Sequence, residues 1–218
     1  MKNLNLSAAV VAGMLFAGLA LAAPVAADTY DMLNGNTSAY NRWDQIYSGS
    51  GCVTCDNASL AGGRGDLTDG VIANANWFVT EAPAGNWPYV GWTSDPTITF
   101  RWAAVVSINS LTLYLDDANG GGGVSAPASV IIKGTLFSIA DPAGSAPFAF
   151  TASGLAFTGA DFALTLNCRN QWVFLSEVTF DVGQPAGHVP EPDSLALLVP
   201  ARLALAVSSR RRSGKSAI

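Results

Sequence analysis

Reactive side chains are few in this 218-residue chain, which has three cysteines, one histidine and only 12% charged residues. Cys52-Val53-Thr54-Cys55 has the spacing to close a small local disulfide, which an oxidising compartment allows. The same spacing serves redox chemistry when it opens a helix after a strand. Here it stands among Gly49, Ser50, Gly51 and Asn57, a turn setting. A zinc site would need a fourth ligand and more histidine than His188 alone. Cys168 is left as the odd thiol, expected inside a strand.

The carboxylates do not read as a catalytic pair. Glycoside hydrolysis needs two of them facing each other across a cleft, and the adjacent Asp116 and Asp117 would point to opposite faces of a strand. A Ser-His-Asp arrangement has only His188 to draw on, and it falls in a linker. No enzyme is expected. Asp116-Asp117-Ala118-Asn119, followed by Gly120 to Gly123, is a second oxygen-rich stretch with two readings, a calcium loop or a solvated connection between strands. It lacks the repeated nonapeptide of calcium β-rolls.

Both ends read as address labels. Lys2, an uncharged run from Leu6 to Ala22 and small residues up to Asp28 give the three-part form of a signal peptide over 1–27. Cleavage by a signal peptidase after Ala22 or after Ala27 is equally readable, with Ala27 preferred. The run is shorter than the roughly 20 residues a spanning helix needs, which argues against an uncleaved anchor. At the other end Val189, Pro190, Glu191 and Pro192 precede a mainly apolar stretch and the cluster Arg210, Arg211, Arg212. This order resembles the PEP-CTERM sorting signal. In that family a membrane exosortase recognises the tail, cuts near the motif and passes the protein to the cell surface, usually in bacteria that make exopolysaccharide. The resemblance implies a sorting signal over 189–212 with a short hydrophobic helix, transient inner-membrane contact and a cytoplasmic end at 213–218. Arginines beside an apolar segment favour the cytoplasmic side. Pro200 and Arg202 depart from the pattern, one breaking the helix and one placing a charge inside it.

The region 28–183 is of single-domain size, and 184–188 reads as a short linker. Net charge is −5, and Arg202, Arg210, Arg211, Arg212, Lys215 and Lys2 all lie in the end segments, so the domain is more acidic still. That balance argues against nucleic acid as a partner. From Asp28 to Asp69 turn residues dominate and little regular structure is expected. Beyond it the period becomes two: Ile98, Phe100 and Trp102; Leu111, Leu113 and Leu115; Val130 and Ile132; Phe148 and Phe150; Phe162, Leu164 and Leu166. A last strand is expected to set Trp172, Phe174, Val178 and Phe180 on one face, with Val173, Leu175, Glu177 and Thr179 on the other. The pattern predicts an all-β fold, a single jelly-roll-like β-sandwich flanked by the signal helix and the short C-terminal helix.

Leu67-Thr68-Asp69-Gly70 with Asn76-Trp77, then Val90-Gly91-Trp92, the strands from Ile98 and from Ile108, Pro127 ahead of Val130, and the closing Phe174 to Phe180 with its Ser-Glu pair occur in the order found in discoidin-like, galactose-binding-like sandwiches. The chain resembles that family over roughly Leu60 to Val182. The resemblance implies carbohydrate or another surface ligand held by loops at one end of the sandwich, and a structural calcium. Asp69 and Glu177 match the positions that supply the calcium's oxygens, and the alternative is that Asp69 caps a turn while Glu177 pairs with a base. For a sugar, Trp87 and Tyr89 offer flat rings that stack on a pyranose, with Asn86 nearby to read hydroxyls, although core or rim packing is open to both aromatics. Trp92 is expected in the core. The combined expectation is an exported, surface-sorted, non-catalytic protein that binds exopolysaccharide. A purely structural sandwich is the alternative, and a secreted hydrolase comes third.

Overall fold

The computed structural model describes residues 24–81 and 87–183. The signal segment up to residue 23, Asn86, and the sorting motif from Val189 to Arg212 lie outside them. Eight strands and one short helix follow one another: β1 (Thr29–Leu33), β2 (Ser59–Gly63), α1 (Trp77–Thr80), β3 (Val90–Trp92), β4 (Thr97–Leu115), β5 (Ser129–Ile132), β6 (Thr135–Ser138), β7 (Phe148–Asn167) and β8 (Val173–Gly183). All named pairings are antiparallel. Among the described residues no helix is long and apolar enough to cross a membrane.

The two long strands make the sandwich. β4 and β7 pair along nearly their whole length, but the other edge of β4 changes partner, from β1 at Thr99–Arg101 to β8 at Ser107–Leu115. One layer therefore runs β2-β1-β4-β7-β5-β6, and the other carries the far halves of β7 and β4 with β8 and β3. The switch falls where the β4–β7 register shifts between Arg101 and Val106, with Ala103, Ala104 and Val105 exposed. Extra residues in one strand bend it and raise its twist, so a strand that leaves one layer can enter the next.

Phe180 of β8 closes the space between the layers. Its ring meets Phe100 at 5.1 Å, Phe162 at 5.6 Å and Trp102 at 4.9 Å, all edge-on, the preferred arrangement of aromatic quadrupoles. Ile98, Leu111, Leu113, Leu115, Val130, Leu164 and Leu166 complete this core, each at most 1% exposed. Trp92 is buried too, its indole N–H donating to the Leu33 carbonyl at 2.8 Å.

Two expectations need correction. Asp28 to Asp69 holds two strands, because β1 and β2 pair with each other and β1 with β4. Backbone partners supplied from elsewhere override a turn-rich composition. Trp172, just ahead of β8, and Phe174, Val178 and Phe180 within it do not share a face. Tyr114 pairs with Glu177 while Leu115 pairs with Leu175, so Ser176 is an extra residue and parity flips across it. Val173, Leu175, Val178 and Phe180 face the main core, while Trp172 and Phe174 join Ala73, Tyr89, Ala118 and Val124 in a second, smaller one.

The chain ahead of β1 is built into the fold. Val25 exchanges both main-chain hydrogen bonds with Phe180, at 2.9 and 2.8 Å, and Ala27 is fully buried in the main core. Cys52 and Cys55 are joined by a disulfide across a turn, and Cys168 is half-buried beyond the end of β7.

Candidate functional site

A cavity of about 230 Å3 opens where the turns after β1 and β2 meet the segment entering β3. Trp43, Ile46, Val71, Trp87 and Pro88 form its apolar walls, and Gln45, Asp66 and Asp69 its polar ones. Trp43 is fixed by its indole N–H, which donates to Asp56 Oδ1 at 2.7 Å; Asp56 also accepts from the Thr37 amide and hydroxyl. These donors hold the Asp56 carboxyl below its usual range. Trp87 stands 40% exposed in a left-handed backbone conformation, φ 47°, ahead of a proline. That conformation costs a non-glycine residue on the order of 1–3 kcal/mol, and such strain collects at functional sites. The indole of Trp87 also borders a second hollow of about 220 Å3, lined by Ala39, Tyr40, Asn41 and Glu81.

Asp44 anchors the acidic wall. Its amide and that of Gly35 both donate to Asn34 Oδ1, and its own carboxylate accepts from the Asp66 amide at 3.2 Å and from the Tyr30 hydroxyl. No side chain fits at residue 65, because a Cβ on Gly65 would stand 2.2 Å from Asp44 Oδ1. Burial raises Asp44 to about 6. Burial first, and then the charges of Asp44 and Asp69, raise Asp66 to about 9, so at neutral pH its carboxyl can donate as well as accept a hydrogen bond.

Asp69 and Glu177 come together as neighbours of one loop. Glu177 accepts from the Gly70 amide at 2.7 Å and from its own successor Val178 at 3.2 Å, while Asp69 accepts from the Val71 amide at 2.8 Å. Glu177 is raised to about 7, by burial and by the charge of Asp69. The Thr68 hydroxyl is buried with no hydrogen-bond partner. Among the described residues no three or more His, Cys, Asp or Glu side chains are grouped to hold a metal. An ion at this loop would therefore draw on carbonyl and hydroxyl oxygens as well as the two carboxylates.

The expected pair of stacking aromatics is split. Tyr89 is 1% exposed, packed on Phe174 with its hydroxyl donating to the Ala75 carbonyl, so it belongs to the smaller core and cannot meet a ligand. Regular alternation would put Trp87 and Tyr89 on one face, and the left-handed backbone at Trp87 breaks it. Asp116 and Asp117 are both fully buried, while Asn119 to Gly122 stay exposed, so only the second part of this connection between strands is solvated. Asp116 accepts from Asn76 Nδ2 and from the Trp77 amide that opens α1, and Asp117 accepts from the Asn119 amide. Sequence reasoning missed Trp43, Gln45 and Ile46. The signal available was a tryptophan within a turn-rich stretch, where no strand or helix asks for one.

An all-β sandwich with an aromatic and acidic hollow at a loop end is the class of protein so defined. No family model and no curated protein matches the chain. Among solved structures it is similar to the family 32 carbohydrate-binding module of AlyQ in complex with 4,5-unsaturated mannuronic acid (19% identity, 42% of this chain and 75% of that one, TM-score 0.29). It is similar also to a family 32 module of a Clostridium perfringens glycoside hydrolase (15%, 43% and 77%, 0.29) and to that of C. perfringens NanJ in complex with galactose (7%, 42% and 74%, 0.29). Each likeness covers less than half of this chain.

Proposed function

We propose that this chain is an exported, non-catalytic protein that binds polysaccharide in the hollow between Trp43 and Trp87 and is sorted to the cell surface by its C-terminal tail. The observation that carries the binding reading is the meeting of two indoles and two carboxyls in one cavity of about 230 Å3. Flat rings cover the apolar face of a sugar, and Asp66, Asp69 and Gln45 read its hydroxyls. The second hollow across Trp87 favours a polymer of at least two units over a single sugar. Against catalysis by the Asp116 and Asp117 pair stand their full burial and the donors from Asn76 and the Trp77 amide that engage both Asp116 oxygens. Export, exosortase processing and exopolysaccharide as the natural ligand rest on the end segments read in the sequence.

The test is calorimetric titration of the folded protein with the producing organism's own exopolysaccharide and its oligosaccharides. Binding is expected, tighter for oligomers than for single units. Trp43→Ala and Trp87→Ala should each weaken it at least about tenfold, ~1.4 kcal/mol, as removal of a stacking anchor does. An unaltered affinity in both variants would move the site elsewhere, and no binding at all would leave a structural sandwich.

Asp69 and Glu177 fit a structural calcium beside this hollow, with the orphaned Thr68 hydroxyl as a further oxygen. Bound there, the ion would offset the repulsion between the two carboxylates and tie their loop to β8. Calcium at about a hundred times its dissociation constant adds about 2.7 kcal/mol of stability. Thermal unfolding of the wild type should therefore shift upward by several degrees with calcium and fall back with chelator. Glu177→Gln should lose that response.

A further inference from the structure

We infer that the leader is removed at the Ala22–Ala23 bond, so that the mature protein begins Ala23-Pro24-Val25 and keeps the segment that enters the sandwich. This rests on the export reading above and sharpens it to one bond. Two small-residue triplets, Ala20-Leu21-Ala22 and Val25-Ala26-Ala27, suit a signal peptidase equally well by sequence. The fold separates them.

Val25 donates to the Phe180 carbonyl at 2.9 Å and accepts from the Phe180 amide at 2.8 Å. Phe180 is fully buried, and its side chain joins the two layers through Phe100, Phe162 and Trp102. A cut after Ala27 would strip both main-chain partners from this residue, and a buried backbone donor or acceptor without a partner is costly. It would also remove Ala27, which is fully buried among the core residues. Asp28, which either cut would keep, anchors the end of this segment: its amide donates to the Arg101 carbonyl, its carboxylate accepts from the Ala103 amide, and its carbonyl accepts from Arg64 Nε. Val25 is thus set in register by β8, and Asp28 by the bulged stretch of β4 that turns from one layer to the next. A segment with this many defined partners belongs to the product, and a discarded leader has no use for them.

The chemistry at either bond is the same hydrolysis. Water adds across the amide, the C–N bond breaks, the Ala22 carbonyl carbon becomes a carboxylate and Ala23 leaves with a free amine. No other reactant is needed.

The full chain is expressed in a bacterium with a general secretory pathway, and the exported protein is N-terminally sequenced. The expected result is Ala23-Pro24-Val25. Recovery of Asp28-Thr29-Tyr30 overturns the inference while leaving export intact. Met1 retained on the exported protein overturns this inference and leaves export standing, whereas folded protein found only in the cytoplasm overturns export and this inference with it. Ala22→Tyr, which blocks the upstream site only, should make uncleaved precursor accumulate. Efficient conversion of that variant to a product starting at Asp28, with unchanged melting temperature, would show that residues 23–27 are dispensable and would overturn the argument from the fold.

Discussion

Phe180→Ala is expected to cost about 3–5 kcal/mol, the range for deleting a buried phenylalanine when the cavity cannot collapse. Collapse is hindered because the ring is enclosed by Phe100 and Phe162 of one layer and by Trp102 at the turn between layers. Phe100 and Phe162 are held opposite each other in the β4–β7 ladder, and Phe100 pairs with Tyr30 of β1 as well. Against a total stability of roughly 5–15 kcal/mol for a domain, the loss is large enough to leave some of the chain unfolded at 37 °C. Urea unfolding followed by tryptophan fluorescence measures it. Val105→Ala, at a side chain 61% exposed in the bend of β4, is the control and should stay within about 0.5 kcal/mol. Equal losses for the two would mean that Phe180 does not bridge the layers.

Arg42→Met should be of similar size, for an electrostatic reason. The Arg42 side chain is 2% exposed and that of Glu81 fully buried, with Nη1 and Oε2 3.7 Å apart. Above the guanidinium lie the rings of Tyr40, Trp77 and Phe174, at 5.0, 5.1 and 5.4 Å from Cζ. Rings compensate a cation partly through their negative faces. Burial nonetheless lowers the Arg42 pKa and raises Glu81 to about 7, although Arg42 pulls Glu81 the other way. Removing one partner of a buried pair costs about 3–5 kcal/mol, because the other charge stays behind unpaired.

The pH dependence gives that prediction its sign. A carboxyl whose folded pKa lies above its unfolded value contributes stability below the unfolded value and loses it as pH rises through the folded one. Without Arg42 the Glu81 pKa rises further, so the variant should lie closest to wild type near pH 5 and furthest from it near pH 8. Adding Glu81→Gln should restore much of the loss at pH 8. A penalty independent of pH, unrelieved in the double variant, would assign the effect to lost packing of the guanidinium on its rings.

How much of this was legible in the residues can be judged element by element. Alternation at Ile98–Phe100, Leu111–Leu115 and Phe162–Leu166 announced half-buried strands, because a two-residue period needs no partner to be seen. The same period misassigned β8, since Ser176 is an extra residue that shows only against Tyr114 and Leu115 across the ladder. Adjacent Asp116 and Asp117 gave no hint of burial, which depends on donors from Asn76 and Trp77 some forty residues earlier. Trp87 could be singled out by type, but not the fact that it shares a cavity with Trp43, nor that Tyr89 turns inward.

The sequence by itself determined the all-β class, the scarcity of histidine and cysteine, and the positions Asp69 and Glu177 as neighbours to test. These follow from composition, period and short motifs, which are local properties. Only the tertiary structure decided which aromatics share a cavity, how buried Arg42 and Glu81 are paired, and that Val25 and Ala27 are built into the sandwich. Each of those depends on contacts between residues far apart in the chain, as do the faces of β8, which a bulge opposite Tyr114 and Leu115 exchanges and no local period records.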